Sequence, residues 1–375
     1  MKVAVVVGTR PEIIKMSPII RELERREVDY YILHTGQHYS YNMDRLFFEE
    51  LELPEPEYKL DVGTRFHTQG SQTGEMIKGI EKVFMADMPD IVLVQGDTNT
   101  VLAGAVSASK LHISVGHVEA GLRSFDRRMP EEINRILADH ISDYLFAPTE
   151  EAKNNLVNEG IDGEKIYVVG NTIVDAVQQN MDIALRKSKI LREMALKKRD
   201  YILITAHRQE NVDDPARLKK IVEMLNSIEY PAIFPMHPRT RKRIDEFGLK
   251  IDNPKIIITE PLGYLDFLML ISEARLILTD SGGIQEESNI LHVPCLTLRD
   301  NTERPETVEA GSNIVVGVDP ENVLETLHRI IEDKDMEEKM RSAPIMFGDG
   351  RSGERIINII LGEGHVWHSR FYMER

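Results

Sequence analysis

The chain has 375 residues, 42% of them hydrophobic and 29% charged, a soluble globular profile that excludes an intrinsically disordered protein. It carries 46 basic against 62 acidic residues, a net charge of −16, and neither basic stripes nor interleaved aromatics, which excludes a nucleic-acid or anionic-membrane footprint. Cys295 is the only cysteine, so an intramolecular disulfide and a cysteine-built zinc site are excluded as well. An anionic ligand stays open, because a few local Arg, Lys and backbone amides suffice to hold a phosphate. The N-terminus lacks the length and cleavage site of a signal peptide, and no apolar stretch approaches the roughly 20 residues needed to span a bilayer. A cytoplasmic protein is expected.

Apolar runs at 3–7, 30–33, 91–94, 113–115 and 144–147 predict buried strands, and helix-period segments at 11–25, 72–85, 98–110 and 131–142 lie between them. This alternation predicts a parallel, doubly wound sheet. The pattern then restarts, with strands at 201–205, 232–235, 256–258, 276–278 and 295–298 and helices at 215–227, 265–272 and 283–291. Residues 171–200 carry the seam, and the basic run 186–199 predicts a solvated helix. The fold class is therefore α/β, with two Rossmann-like domains. Ligands bind such sheets at the carboxyl ends of the strands, so the active site is expected in a shared cleft.

The residues that follow the strands carry the candidate chemistry. Gly8-Thr9-Arg10-Pro11-Glu12 leaves the first strand, with Gly8 for the turn and Pro11 at the first helical position. Arg10 and Lys15 point toward the cleft or are incidental charges on a strand-to-helix turn. A single glycine here excludes the dinucleotide fingerprint, and a Walker-type phosphate loop is absent too. Asp97, in Gln95-Gly96-Asp97-Thr98, is an acid/base group or a helix cap. Glu119, in His117-Val118-Glu119-Ala120-Gly121-Leu122-Arg123, is an acid/base group or the partner of Arg123 in a buried ion pair. Glu131, after Pro130, suits a helix start and equally a third member of that carboxylate set.

The second domain supplies His207 beside Arg208 after its first strand, a structural histidine or a phosphate ligand. Ser281, Gly282 and Gly283 open a helix whose N–H groups form a phosphate cradle, and Glu287 lies one turn on. Arg304 follows the last core strand. A set of suitable metal ligands is not apparent, so no metal and no cofactor are expected.

Together these segments (GTRPEIIKM, GDTNT, GHVEAGLRS, PEEINR, ITAHRQEN, LTDSGGIQEE and RDNTERPE) resemble the non-hydrolysing UDP-N-acetylglucosamine 2-epimerases, in order and spacing, from Val3 to about Gly353. The resemblance implies GT-B architecture: an N-terminal domain over 1–171, onto which a C-terminal helix at about 355–375 packs back, and a UDP-binding domain over 172–354. It implies that His207, Phe267, Ser281, Gly282, Gly283, Glu287 and Arg304 hold UDP, with Arg10 and Lys15 reaching across. Phe267 would pack the uracil, although Leu262 stands where the family has a uracil-contacting Gln. Asp97, Glu119 and Glu131, with His207, would be the catalytic set. UDP would leave carbon 1 as a carboxylate removes the carbon-2 proton, giving 2-acetamidoglucal, and would then add back. Bacterial relatives bind a second substrate molecule as an activator, and Gln37, His38, Arg208 and His237 lie in the matching segments. The family is usually dimeric. A hydrolysing epimerase and a GT-B glycosyltransferase are the alternative activities, and the tail 362–375 has no assigned role.

Overall fold

The computed structural model describes the backbone of residues 1–37, 41–63, 66 and 68–362, and the side chains of all of these except 41–44. The chain forms two compact units, one from Met1–Ala176 with the segment from Gly348 onward, the other from Val177–Phe347.

Among the described residues, the first unit holds seven strands: β1 (Lys2–Val7), β2 (Asp29–His34), β3 (Tyr58–Lys59), β4 (Ile91–Gln95), β5 (Ser114–Val118), β6 (Tyr144–Ala147) and β7 (Ile166–Val168). Their order across the sheet is β3-β2-β1-β4-β5-β6-β7, and every pairing is parallel. Val3–Val7 are wholly buried, which is why β1 reads as a continuous apolar run: helices cover both faces of a central parallel strand. One face of the sheet packs Val6, Leu33, Val92 and Val94 against Met76, Ile80 and Phe84 of the helix Gln69–Ala86 and against Val101 and Ala105 of the helix Asn99–Lys110. The helix Ser352–Leu361 lies against the helix Arg10–Arg25, where a Cβ on Gly353 would sit 3.2 Å from Pro18. Asp175 Oδ1 fixes this closing helix by accepting the Gly353 N–H at 2.9 Å.

The second unit repeats the plan with β8 (Ile202–Thr205), β9 (Ala232–Pro235), β10 (Ile256–Thr259), β11 (Leu276–Thr279), β12 (Cys295–Thr297) and β13 (Asn313–Val315), ordered β10-β9-β8-β11-β12-β13 and again all parallel. Both sheets thus have the Rossmann order, and each reverses direction once: between β1 and β4, and between β8 and β11. The α/β class with two Rossmann-like units is as the sequence predicts.

Two expectations need correcting. The basic run 186–199 is not one helix. The helix Thr172–Lys187 ends within it, a four-residue helix Ile190–Glu193 follows, and Ala195 and Arg199 adopt φ of +50° and +55°. The strand expected at 113–115 extends to Val118, because parallel pairing with β4 and β6 continues through His117 and Val118. His117 is therefore a strand residue, and Glu119 is the first residue beyond the strand.

Candidate active site

In the first unit, the two turns beside the reversal point are β1 to Gly8 and β4 to Gly96. Space forces glycine at position 8, where a Cβ would lie 2.1 Å from Thr100 Oγ1 and 2.2 Å from Thr35 Oγ1. Glu12 closes the first turn: its Oε2 accepts from the N–H of Gly8 at 2.6 Å and of Thr9 at 2.9 Å. Its Oε1 accepts from the Thr98 hydroxyl, linking this turn to the one after β4. Burial pushes the Glu12 carboxyl up to about 7, against the pull of these donors. Arg10, at the start of the helix, lies with Cζ 5.7 Å from the Phe47 ring centroid.

Asp97 does not cap the helix Asn99–Lys110. Thr98 does so, its hydroxyl accepting the Val101 N–H at 3.4 Å. The Asp97 side chain, 28% exposed, is instead paired with Arg135, and its carbonyl accepts from Asn134 Nδ2 at 2.9 Å.

Glu119 is not paired with Arg123. Its Oε1 lies 2.6 Å from Lys15 Nζ and 2.7 Å from Asn171 Nδ2, and Gln95 Nε2 donates to Oε2. The guanidinium of Arg123 is taken up by Asp139 at 2.7 Å and Glu159 at 2.7 Å. Glu119 also adopts φ +65°, a left-handed conformation that costs a non-glycine residue about 1–3 kcal/mol and recurs where a side chain must be held at a set angle. Asp97 and Glu119 thus follow adjacent strands, β4 and β5, each facing a cation. Glu131 stands exposed in the first turn of the helix Pro130–Ile141, and its side chain makes no hydrogen bond or ion pair among the described residues. Its neighbour Glu132 does the structural task, accepting from the N–H of Ser124 at 2.9 Å and of Phe125 at 3.0 Å.

Of the residues matched to an activator site, Gln37 is buried, and its Oε1 accepts from Thr100 N at 3.0 Å and Oγ1 at 2.9 Å. His38 lies outside the described residues.

In the second unit, His207 leaves β8 and Ser281 follows β11 by one residue. Between them, wholly buried Asp280 organises both turns. It accepts the N–H of His207 and of Arg208 at 2.9 Å and Asn211 Nδ2 at 3.1 Å, and its Oδ1 stands 3.3 Å from His207 Nδ1. Burial alone would raise Asp280, but the His207 contact and these donors outweigh it and hold the carboxyl below its usual range. The His207 and His237 rings lie 5.7 Å apart, so the structure gathers a residue matched to the active site and one matched to the activator site. Burial, then His207 and Arg239, hold His237 below the ordinary imidazole range.

Ser281 precedes the helix Gly282–Ile290. Arg208 approaches this helix start, its Nη2 3.7 Å from where a Gly282 Cβ would be, and it also pairs with Glu303 at 3.4 Å. A Cβ on Gly283 would meet no heavy atom within 4 Å among the described residues beyond the helix's own backbone, so a methyl at this second helical position would project into open space. Arg304 pairs with buried Glu286, Glu287 is buried one turn into the same helix, and Phe267 is half-buried on the helix Tyr264–Glu273.

The sequence reading missed Glu12, Asp139 and Asp280. The Thr9-x-x-Glu12 spacing is a capping-box signal that would have found the first. The other two carry none, since Asp139 reads as an ordinary helix residue and Asp280 as part of a turn.

Two Rossmann sheets, one with carboxylates and cations at its strand ends and the other with a glycine-opened helix beside His and Arg, define a protein built for a nucleotide-linked substrate. The sequence profile of the UDP-N-acetylglucosamine 2-epimerase family matches residues 21–361, and the chain belongs to that family. It is 58% identical over 369 residues to the UDP-N-acetylglucosamine 2-epimerase of Methanocaldococcus jannaschii, covering 96% of this chain and 99% of that one. The crystal structure of the M. jannaschii UDP-GlcNAc 2-epimerase in complex with UDP-GlcNAc and UDP superposes with a TM-score of 0.84, at 57% identity over 96% of this chain and 100% of that one. The Neisseria meningitidis UDP-GlcNAc 2-epimerase bound to UDP-GlcNAc gives a TM-score of 0.85 at 36% identity, over 96% and 100% of the two chains. The fold is of the GT-B class.

Proposed function

We propose that this chain interconverts UDP-N-acetylglucosamine and UDP-N-acetylmannosamine by inverting carbon 2, without hydrolysing the nucleotide sugar. The observation that carries the reading is the pair Asp97 and Glu119, carboxylates at the ends of adjacent strands, each oriented by a neighbouring cation. Inversion needs a proton removed from one face and returned on the other, and hence more than one acid/base group. Exposed Glu131 is the third candidate for that set.

The carbon-2 proton passes to a carboxylate as the bond from carbon 1 to the phosphate oxygen breaks. Its electron pair leaves with UDP, and the new double bond makes 2-acetamidoglucal. Re-addition of UDP to carbon 1 with protonation of carbon 2 from the other face completes the turnover. The Ser281-Gly282-Gly283 helix start, His207 and Arg304 hold the diphosphate, Glu287 the ribose and Phe267 the uracil, while Arg10 and Lys15 balance the leaving charge. The product supplies N-acetylmannosamine units for surface polysaccharide or glycan synthesis. A second UDP-N-acetylglucosamine would activate through Gln37, His38, Arg208 and His237.

Proton NMR of the enzyme with UDP-N-acetylglucosamine in D2O, with no nicotinamide added, tests the reading. Deuterium at carbon 2 together with UDP-N-acetylmannosamine is the expected result. Free N-acetylmannosamine plus UDP would replace it with the hydrolysing reaction, and an unchanged spectrum would remove epimerisation altogether.

A further inference from the structure

His117 is wholly buried in β5, and both of its ring nitrogens face acceptors. Nδ1 lies 2.6 Å from Asp139 Oδ1, and Nε2 lies 2.8 Å from the carbonyl oxygen of Gly96. A carbonyl oxygen can only accept, so Nε2 carries a proton. A neutral ring would then turn the Nδ1 lone pair onto a carboxylate oxygen at hydrogen-bond distance, which is repulsive. The arrangement is satisfied by an imidazolium donating at both ends. Around it, Asp139 Oδ2 stands 2.7 Å from Arg123 Nη1, and Arg123 in turn holds Glu159. Burial by itself would lower the His117 pKa, but the Asp139 charge and hydrogen bond outweigh it and leave His117 above the ordinary range, with Arg123 opposing more weakly.

The two ends of this buried charge chain grip the two turns that carry the carboxylates. His117 holds the carbonyl of Gly96, the residue before Asp97, at a position whose φ of +86° already marks a sharp turn. Asp139 Oδ2 accepts the N–H of Gly121, two residues after Glu119, at 3.2 Å. We propose that His117, protonated and oriented by Asp139, is a positioning residue whose bond to Gly96 ties the Asp97 turn to the end of β5, where Glu119 follows. Neither His117 nor Asp139 touches the reacting atoms. The proposal rests on the reading of Asp97 and Glu119 as the acid/base pair.

Two substitutions separate the ends of the clamp. In His117→Gln the side-chain amide nitrogen takes the place of Nε2 and keeps the donor to Gly96. In His117→Asn it takes the place of Nδ1, keeping the donor to Asp139 and releasing Gly96. His117→Asn is expected to lower kcat about tenfold to a hundredfold with KM for UDP-N-acetylglucosamine within about twofold of wild type, since small misplacements of reacting groups act on the chemical step. His117→Gln is expected to keep kcat within about threefold of wild type. Equal kcat in the two variants, or a raised KM at unchanged kcat, overturns the positioning role.

Imidazole nitrogen-15 NMR of the wild-type protein stands apart from activity and from variant folding. Both His117 nitrogens are expected to be protonated at neutral pH, and a neutral ring overturns the clamp. Wild-type turnover in Asp97→Asn and Glu119→Gln would remove the acid/base reading instead, leaving the nitrogen-15 result to judge the buried imidazolium alone.

Discussion

The Lys15 ammonium stands 2.6 Å from the Glu119 carboxylate, although the two residues are 104 positions apart in sequence. One comes from the first helix and the other from the end of the fifth strand, and both side chains are nearly buried, at 14% and 6% exposure. A pair so placed orients the carboxylate and at the same time makes each partner dependent on the other.

Breaking a buried pair by removing one member costs typically 3–5 kcal/mol, because a charge is left behind. Lys15→Met is expected to lower the unfolding free energy by about 3 kcal/mol. The double variant Lys15→Met/Glu119→Gln should recover much of that loss. Urea denaturation of both decides it: a double variant no more stable than Lys15→Met refutes the coupling.

Replacing Asp97 or Glu119 by its amide keeps the shape and removes the base. Each is expected to cut kcat by at least about a hundredfold while UDP affinity stays within about threefold. Steady-state kinetics and calorimetric titration with UDP measure the two separately. Lost UDP binding at normal kcat would reassign these carboxylates to nucleotide recognition.

Two glycines make opposite predictions. Gly8→Ala places a methyl 2.1 Å from Thr100 Oγ1 and 2.2 Å from Thr35 Oγ1, inside a cluster already joined by a 2.7 Å hydrogen bond between those hydroxyls. Over-packing of this kind costs about 1–3 kcal/mol, to be read as a lower melting temperature. Gly283→Ala projects into open space and should hold or slightly raise the melting temperature while raising the Kd for UDP about tenfold, from crowding at the helix start. An unchanged Kd would take the diphosphate away from this helix.

Glu12 gives stability a pH dependence whose sign is fixed by burial. Its carboxyl is pushed up from 4.5 to about 7, so between these values the folded chain holds a proton that the unfolded chain has released. The contribution is therefore fully present below about 4.5 and is lost as pH rises through about 7, about 3 kcal/mol in all at 1.36 kcal/mol per pH unit. Glu12→Gln removes this titration. The stability difference between wild type and variant, measured by urea denaturation across that window, should move against wild type as pH rises; a flat difference would show that Glu12 is ionised throughout.

The fold was readable because both sheets are central parallel strands bounded by turn glycines, and runs such as Val3–Val7 and Leu276–Leu278 have no other economical explanation. The short edge strands β3, β7 and β13, of two or three residues each, escaped because so few residues set no period. In the site, residue types at strand ends were legible and partners were not. Glu119 had Arg123 four positions away in sequence, yet Lys15 is its cation, because the parallel sheet brings the helix after β1 beside the end of β5. Thr98 displaced Asp97 as the helix cap for a local reason: one side chain suffices for the cap, and the hydroxyl sits one residue closer. Contacts between elements distant in sequence, such as His117 with Asp139 or Asp280 with both turns of its sheet, left no trace in spacing.

The helix Ser352–Leu361 belongs with the first unit, so the chain leaves that unit after Ala176 and returns to it at Gly348. In a cell the order of synthesis then differs from the order of completion. The second unit has every residue it needs while the first still waits for the helix that covers Pro18 and meets Asp175. A nascent chain passes through a stage with one finished unit and one lacking this helix. Premature termination anywhere before residue 352 therefore damages the half of the protein that was made first.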